Sequence, residues 1–202
     1  MPGLCNRTIC AKLRLVMGAA NFNLNRIVAA FAAIVTFSLP ALAEETRLDG
    51  LFDHLAQAEA GEARKIAAEI ELELARSGSP AMDLLLRRGE DAIESGDMAE
   101  AIAHLSAAID HAPDFAEAWH LRSVAFYRQE RYGLALHDIE RALALEPRHF
   151  NAIYGLGVLL DELGQPDLAR DAFSRALAIH PHHEDVTKAR DNVARELGGA
   201  DL

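Results

Sequence analysis

Two places in this chain set histidines beside groups with which they could do chemistry. The run His180-Pro181-His182-His183-Glu184-Asp185 packs imidazoles and carboxylates densely enough to share a surface zinc or copper ion. His120 and Ser123 lie three apart, which places a base and a hydroxyl on one helix face. Catalysis is not carried further by either. No third group orients His120, and there is no Gly-rich phosphate loop and no pair of carboxylates distinct from the general acidity. The two cysteines, Cys5 and Cys10, sit at the far N-terminus. No enzyme, no cofactor and no resident metal are expected, and metal handling through His180–His183 stands as the alternative of another class.

The elements that would position these residues repeat. Pro113, Pro147 and Pro181 fall 34 residues apart. In the same register Leu85, Trp119 and Ile153 coincide, as do Gly89, Ser123 and Gly157, and then Ala92, Phe126 and Leu160. Further columns are Ala101, Ala135 and Ala169; Leu105, Ile139 and Phe173; Ala108, Ala142 and Ala176. The spacing within each unit is that of two amphipathic helices. Small residues fall where two helix axes must approach closely. Gly96-Asp97 and Gly164-Gln165-Pro166 supply helix stops and starts, whereas the second unit has Glu130-Arg131-Tyr132 there. Each proline ends a helix because it has no amide hydrogen for the ladder. His180 and His183 thereby gain a plain reading as loop residues around the third repeat proline, and Ser123 one as a packed small residue.

This pattern resembles the tetratricopeptide repeat family. The resemblance implies an all-α, right-handed α-solenoid of three helix hairpins over 82–183 (82–115, 116–149 and 150–183), with a concave groove lined by the first helix of each unit. Arg88 and Arg122 depart from the family's usual leucine, and are expected to lay their stems on apolar surface with their heads in water. Carried over by position, the groove set is Leu86, Glu90, Glu94, Glu117, His120, Tyr127, Arg128, Asn151, Tyr154 and Asp161. Family members that grip acidic chaperone tails use a Lys/Arg/Asn clamp. The corresponding positions here are Leu86, Glu90, Leu121, Asn151 and Gly155, so a ligand is expected to be apolar or basic rather than acidic.

Residues 1–43 hold four basic residues and no acidic one, an apolar run from Ile27 to Leu39, and the ending Pro40-Ala41-Leu42-Ala43. That is the anatomy of a secretory signal cut after Ala43. Either Met1 or Met17 would serve as the start, and an uncleaved anchor tethering the chain to the membrane is the alternative. The remainder is strongly acidic, with 31 acidic residues in the whole chain against 20 basic ones, which disfavours nucleic acid and anionic lipid as partners. Residues 44–81 read as a degenerate helical hairpin, 47–59 and 63–76, capping the N-terminal end of the stack. Residues 184–202 read as a C-terminal capping helix and tail. The function expected is a non-catalytic, periplasmic scaffold holding a protein segment. The alternative within that class is self-association, as a homo-oligomer or in an envelope complex, through the convex face or caps.

Overall fold

The computed structural model describes residues 47–200, so the expected export segment lies outside the described residues. Nine helices and no strand occur among these residues. They are α1 (47–57), α2 (Ala60–Leu74), α3 (Pro80–Ser95), α4 (Met98–His111), α5 (Ala116–Arg128), α6 (Tyr132–Leu145), α7 (Phe150–Glu162), α8 (Pro166–Ile179) and α9 (Glu184–Ala200). Helices α3–α4, α5–α6 and α7–α8 are the three repeat hairpins, each packed on the next, and α9 packs on α8. The all-α solenoid expected from the repeat register is what the chain forms.

The register works through side-chain size. A Cβ on Gly89 would come within 2.5 Å of the Leu105 side chain, and one on Gly157 within 2.4 Å of the Phe173 ring. Glycine is therefore required for α3 to lie on α4 and α7 on α8. Ser123 occupies the same place in α5, buried, its hydroxyl donating to the His120 carbonyl at 2.6 Å. Ala101, Ala135 and Ala169 are fully buried at the helix crossings. Gly96 and Gly164 end α3 and α7 in the left-handed region, and Glu130 adopts a φ of 59° at the same turn of the second unit, where a side chain costs energy.

Arg122 departs from expectation. Its guanidinium does not simply reach water; it forms a two-point pair with the buried Asp138 at 2.7 and 3.0 Å and donates to Ser106 at 3.0 Å. It also lies 4.9 Å from the Trp119 ring centre. A planar cation with fixed donors is what this half-buried place between helices needs.

The N-terminal hairpin departs further. Ala63, Ala67, Ile70 and Leu74 form one buried stripe of α2, meeting Phe52 and Leu55 of α1. The residue that completes this cluster is Phe150, at the start of α7, with Ile179 of α8 packed against it. The hairpin thus closes its core on the third unit rather than on α3 as an end cap. At the other end, Val186 and Val193 of α9 are buried with Phe173 and Ala176.

Candidate functional site

The first helices of the second and third units, α5 and α7, leave a slot of about 340 Å³ between them. Val124, Tyr127, Ile139, Tyr154 and Val158 make it apolar, and His120, Ser123 and Asn151 add polar groups. Gly155 lies in its wall, and a Cβ there would meet nothing closer than Ile139 at 3.9 Å. The slot exists because small residues stand where a larger side chain would fill it.

Beside it lies a buried polar cluster that sequence reasoning did not assemble. The Glu117 carboxylate meets His120 Nδ1 at 3.2 Å and His149 Nε2 at 2.8 Å. Glu117 and His120 share a face of α5, while His149 comes from the turn before α7. The His120 and His149 rings lie 4.6 Å apart. Burial alone would push the Glu117 carboxyl up. The neighbouring His149 and His120 rings, hydrogen-bonded to it, outweigh that and hold the carboxyl well below the usual carboxylate range.

The ligand atoms of Glu117, His120 and His149 lie within 4.8 Å of one another, a donor set that suits zinc. The hydrogen bonding favours a different use. His149 Nδ1 accepts the Ala152 amide hydrogen at 3.4 Å at the start of α7, which puts the ring proton on Nε2, where it donates to Glu117. An ion would have to displace that proton, so the set acts as a hydrogen-bonded clasp between the second and third units.

The expected groove residues divide. Tyr127, Asn151 and Tyr154 are half-buried and line the slot together with His120. Glu94, Arg128 and Asp161 are exposed, and Arg128 donates to the Ile93 carbonyl at 2.8 Å. Glu90 is half-buried, its carboxyl pushed up by burial and then by Glu117, Asp91 and Glu94, against Arg87. Leu86, Glu117 and His120 are not open groove positions. Leu86 is 1% exposed within the first unit's core, and Glu117 and His120 are 9% and 8% exposed, because the clasp and its neighbours cover them. Tyr154 does not simply face solvent either, since its ring lies 5.9 Å from Phe173 and 5.8 Å from His183.

The histidine run at the third proline forms an aromatic cluster. His180 stacks edge-on with Phe150 at 5.3 Å and with His183 at 5.0 Å, while His182 is exposed. His180 is buried with neither ring nitrogen hydrogen-bonded. Burial, then His183 and His182, lower its pKa to about 4. His183 Nδ1 accepts the Val186 amide at 3.4 Å, so it caps α9 as His149 caps α7.

Residues 86–138 and 121–184 match the tetratricopeptide repeat profile. A TPR repeat-containing protein of Rhizobium etli is 35% identical over 154 residues, which are 76% of each chain. Together with the fold, this places the chain in the tetratricopeptide repeat family. Among solved structures, the first TPR of Spaghetti (RPAP3), bound to HSP90 peptide SRMEEVD, superposes with a TM-score of 0.58 at 22% identity, over 59% of this chain and 98% of that one. The O-GlcNAc transferase of Thermobaculum terrenum contains the same fold, with a TM-score of 0.55 at 27% identity, over 58% of this chain and 22% of that one.

Proposed function

We propose that this protein is an exported, non-catalytic scaffold that holds a segment of another protein in the slot between α5 and α7. The observation that carries this reading is the slot itself. It combines an apolar wall, aromatic side chains of Tyr127 and Tyr154, and a few fixed polar groups at His120 and Asn151, the composition of a site that anchors one large apolar side chain and orients the chain around it. A solved neighbour carries a chaperone peptide, which supports peptide holding as a use of this architecture. Its peptide is acidic, whereas the groove positions carried over by the repeat register here include Glu90, Glu94 and Asp161. An apolar anchor with basic flanks is the ligand this surface favours. The basic, then apolar, then small-residue order of 1–43 supports export to the periplasm; N-terminal sequencing of the native protein should find Glu44 first, and a retained presequence in the membrane fraction would make it a tethered scaffold instead.

The binding reading is tested by capturing a partner from periplasmic extract and titrating it against three purified proteins. Tyr127→Ala should weaken binding at least tenfold. Glu90→Lys should slow association in a salt-dependent way. Tyr154→Ala is a poorer probe, because it also removes packing on Phe173. Undiminished affinity in Tyr127→Ala with an unchanged melt would move the binding surface away from the slot.

A further inference from the structure

The hydrogen bonds around the slot have already committed the protons of its deeper polar groups. Glu117 is ionised and only accepts, so His120 Nδ1, 3.2 Å away, carries the ring proton. In the neutral ring the lone pair is then on Nε2. The Ser123 hydroxyl gives its proton to the His120 carbonyl at 2.6 Å, which leaves Oγ lone pairs alone. Asn151 turns its Nδ2 to the Glu71 carboxylate at 2.9 Å and keeps Oδ1 and one amide hydrogen. The Tyr127 and Tyr154 hydroxyls turn about their C–O bonds and serve either way. Of the fixed groups, His120 and Ser123 therefore offer acceptors and no donor.

That restricts what can enter. Among the described residues, the buried side-chain nitrogens and oxygens without a partner are those of His180. His120 Nε2 has no partner either, so it is accessible, and its ring lines the slot. The lining holds no Asp, Glu, Lys or Arg. A cation pushed into it would lose its water with no counter-charge against it. A purely apolar side chain would bury Nε2 unpaired, and a group that accepts would set lone pair against lone pair. A passing main chain reaches the half-buried Asn151 more readily than His120, which is 8% exposed. The group that fits is large and apolar, with one N–H and no acceptor, which describes an indole.

We propose that the slot between α5 and α7 is a receptor for a tryptophan side chain of the partner, whose indole N–H donates to His120 Nε2 while its ring lies on the apolar wall. This rests on the slot being the binding site, and it names the anchor held there. Glu117 contributes at a distance, because its bond to Nδ1 is what makes Nε2 the acceptor. Selectivity follows from the same accounting, since a buried acceptor left unpaired penalises every anchor that brings no donor.

The test titrates the purified native protein and Tyr127→Ala with acetylated, amidated peptides Lys-Ser-X-Ser-Lys at neutral pH. X is tryptophan, its sulfur isostere benzothienylalanine, tyrosine, phenylalanine or lysine. Calorimetry reads affinity, and long-range proton–nitrogen spectra of protein with isotope-labelled histidine read where the His120 proton sits. In the free protein it should sit on Nδ1. The tryptophan peptide should bind about tenfold tighter than the benzothienylalanine one, which has the same shape without the N–H, and tighter than the other three. Equal affinity of those two peptides, or a proton on Nε2 in the free protein, overturns the proposal. Tightest binding of the lysine peptide overturns it too, by making the slot a receptor for a cation, as does the absence of binding by any peptide. If the two isosteres bind equally and Tyr127→Ala weakens both, the slot remains the binding site and only the anchor's identity falls. If Tyr127→Ala weakens none of the peptides that bind, the slot reading itself falls.

Discussion

At the junction of the first and second units, Leu86 and Phe115 lie in one buried apolar cluster with Ala118. Advanced by 34 residues, the same positions carry His120 and His149, joined through Glu117. Asp83, the counterpart of Glu117, is half-buried and accepts instead from the backbone amide and hydroxyl of Ser77 at 2.8 and 2.6 Å. One junction is closed by shape, the other by hydrogen bonds. An apolar filling needs only the right volume, whereas buried polar groups must each find a partner and so fix orientation. The second arrangement holds two helices at a set separation without filling the space between them, and the slot lies at that junction.

The largest way to break this comparison is to remove the shared acceptor. Glu117→Ala leaves two buried imidazoles facing a void and should cost about 3 kcal/mol, against about 1 kcal/mol for Asp83→Ala, in urea melts. Adding His120→Leu and His149→Phe to Glu117→Ala imitates the first junction and should restore most of the loss. Equal costs at Glu117 and Asp83 would mean that the clasp does not hold the units together.

Acid should separate the clasp from the histidine cluster at the hairpin's seat. His180 is held neutral by burial, so its pKa is lowered to about 4. The unfolded chain takes up that proton first, at about pH 6.5. The contribution of His180 is therefore complete above about pH 6.5 and is lost progressively down to about pH 4. His183 is lowered by burial, against Asp185 and Glu71, and adds in the same direction. Glu117, held low, keeps its contribution through this window and loses it only as the pH falls below the unfolded carboxylate range of about 4.3. Melts from pH 7 to 4.5 should lose on the order of 2 kcal/mol, and His180→Leu should flatten that slope. An unchanged slope would remove His180 from the account.

Two glycines on α7 sharpen the contrast between packed and open faces. Gly157→Ala drives a methyl into Phe173 and should cost about 1.5 kcal/mol. Gly155→Ala meets only ordinary contact and should raise stability by about 0.5–1 kcal/mol through helix propensity. Thermal melts giving the same sign for both would mean that the slot is not open. The smallest effect belongs to the strained turn of the second unit, where Glu130→Gly relieves a positive φ and should gain about 0.5 kcal/mol.

The solenoid was legible because every packing position recurs at a fixed interval, so that Gly89 and Gly157 mark close crossings before any coordinate is known. The clasp was not. Glu117 and His120 are individually ordinary groove residues, and only the substitution of His149 for Phe115 at the equivalent position hints that an apolar junction has become polar. Asp138 gave no signal either, since the arginine that needs it, Arg122, lies 16 positions away on another helix. The hairpin's apolar stripes were readable, but their partner was not. Phe150 belongs to the repeat register and Phe52 does not, and no periodicity links residues so far apart in the chain.

The claim that recognition happens at the second junction is tested most directly by filling the slot without disturbing the fold. Gly155→Leu adds a side chain into the open space, while Arg87→Leu places the same side chain at the equivalent exposed position of the first unit. Calorimetric titration of the purified partner against both variants should show Gly155→Leu weakened tenfold or more, about 1.4 kcal/mol, and Arg87→Leu unchanged, with both proteins melting like the native chain. Equal affinity of Gly155→Leu and the native protein would contradict the account.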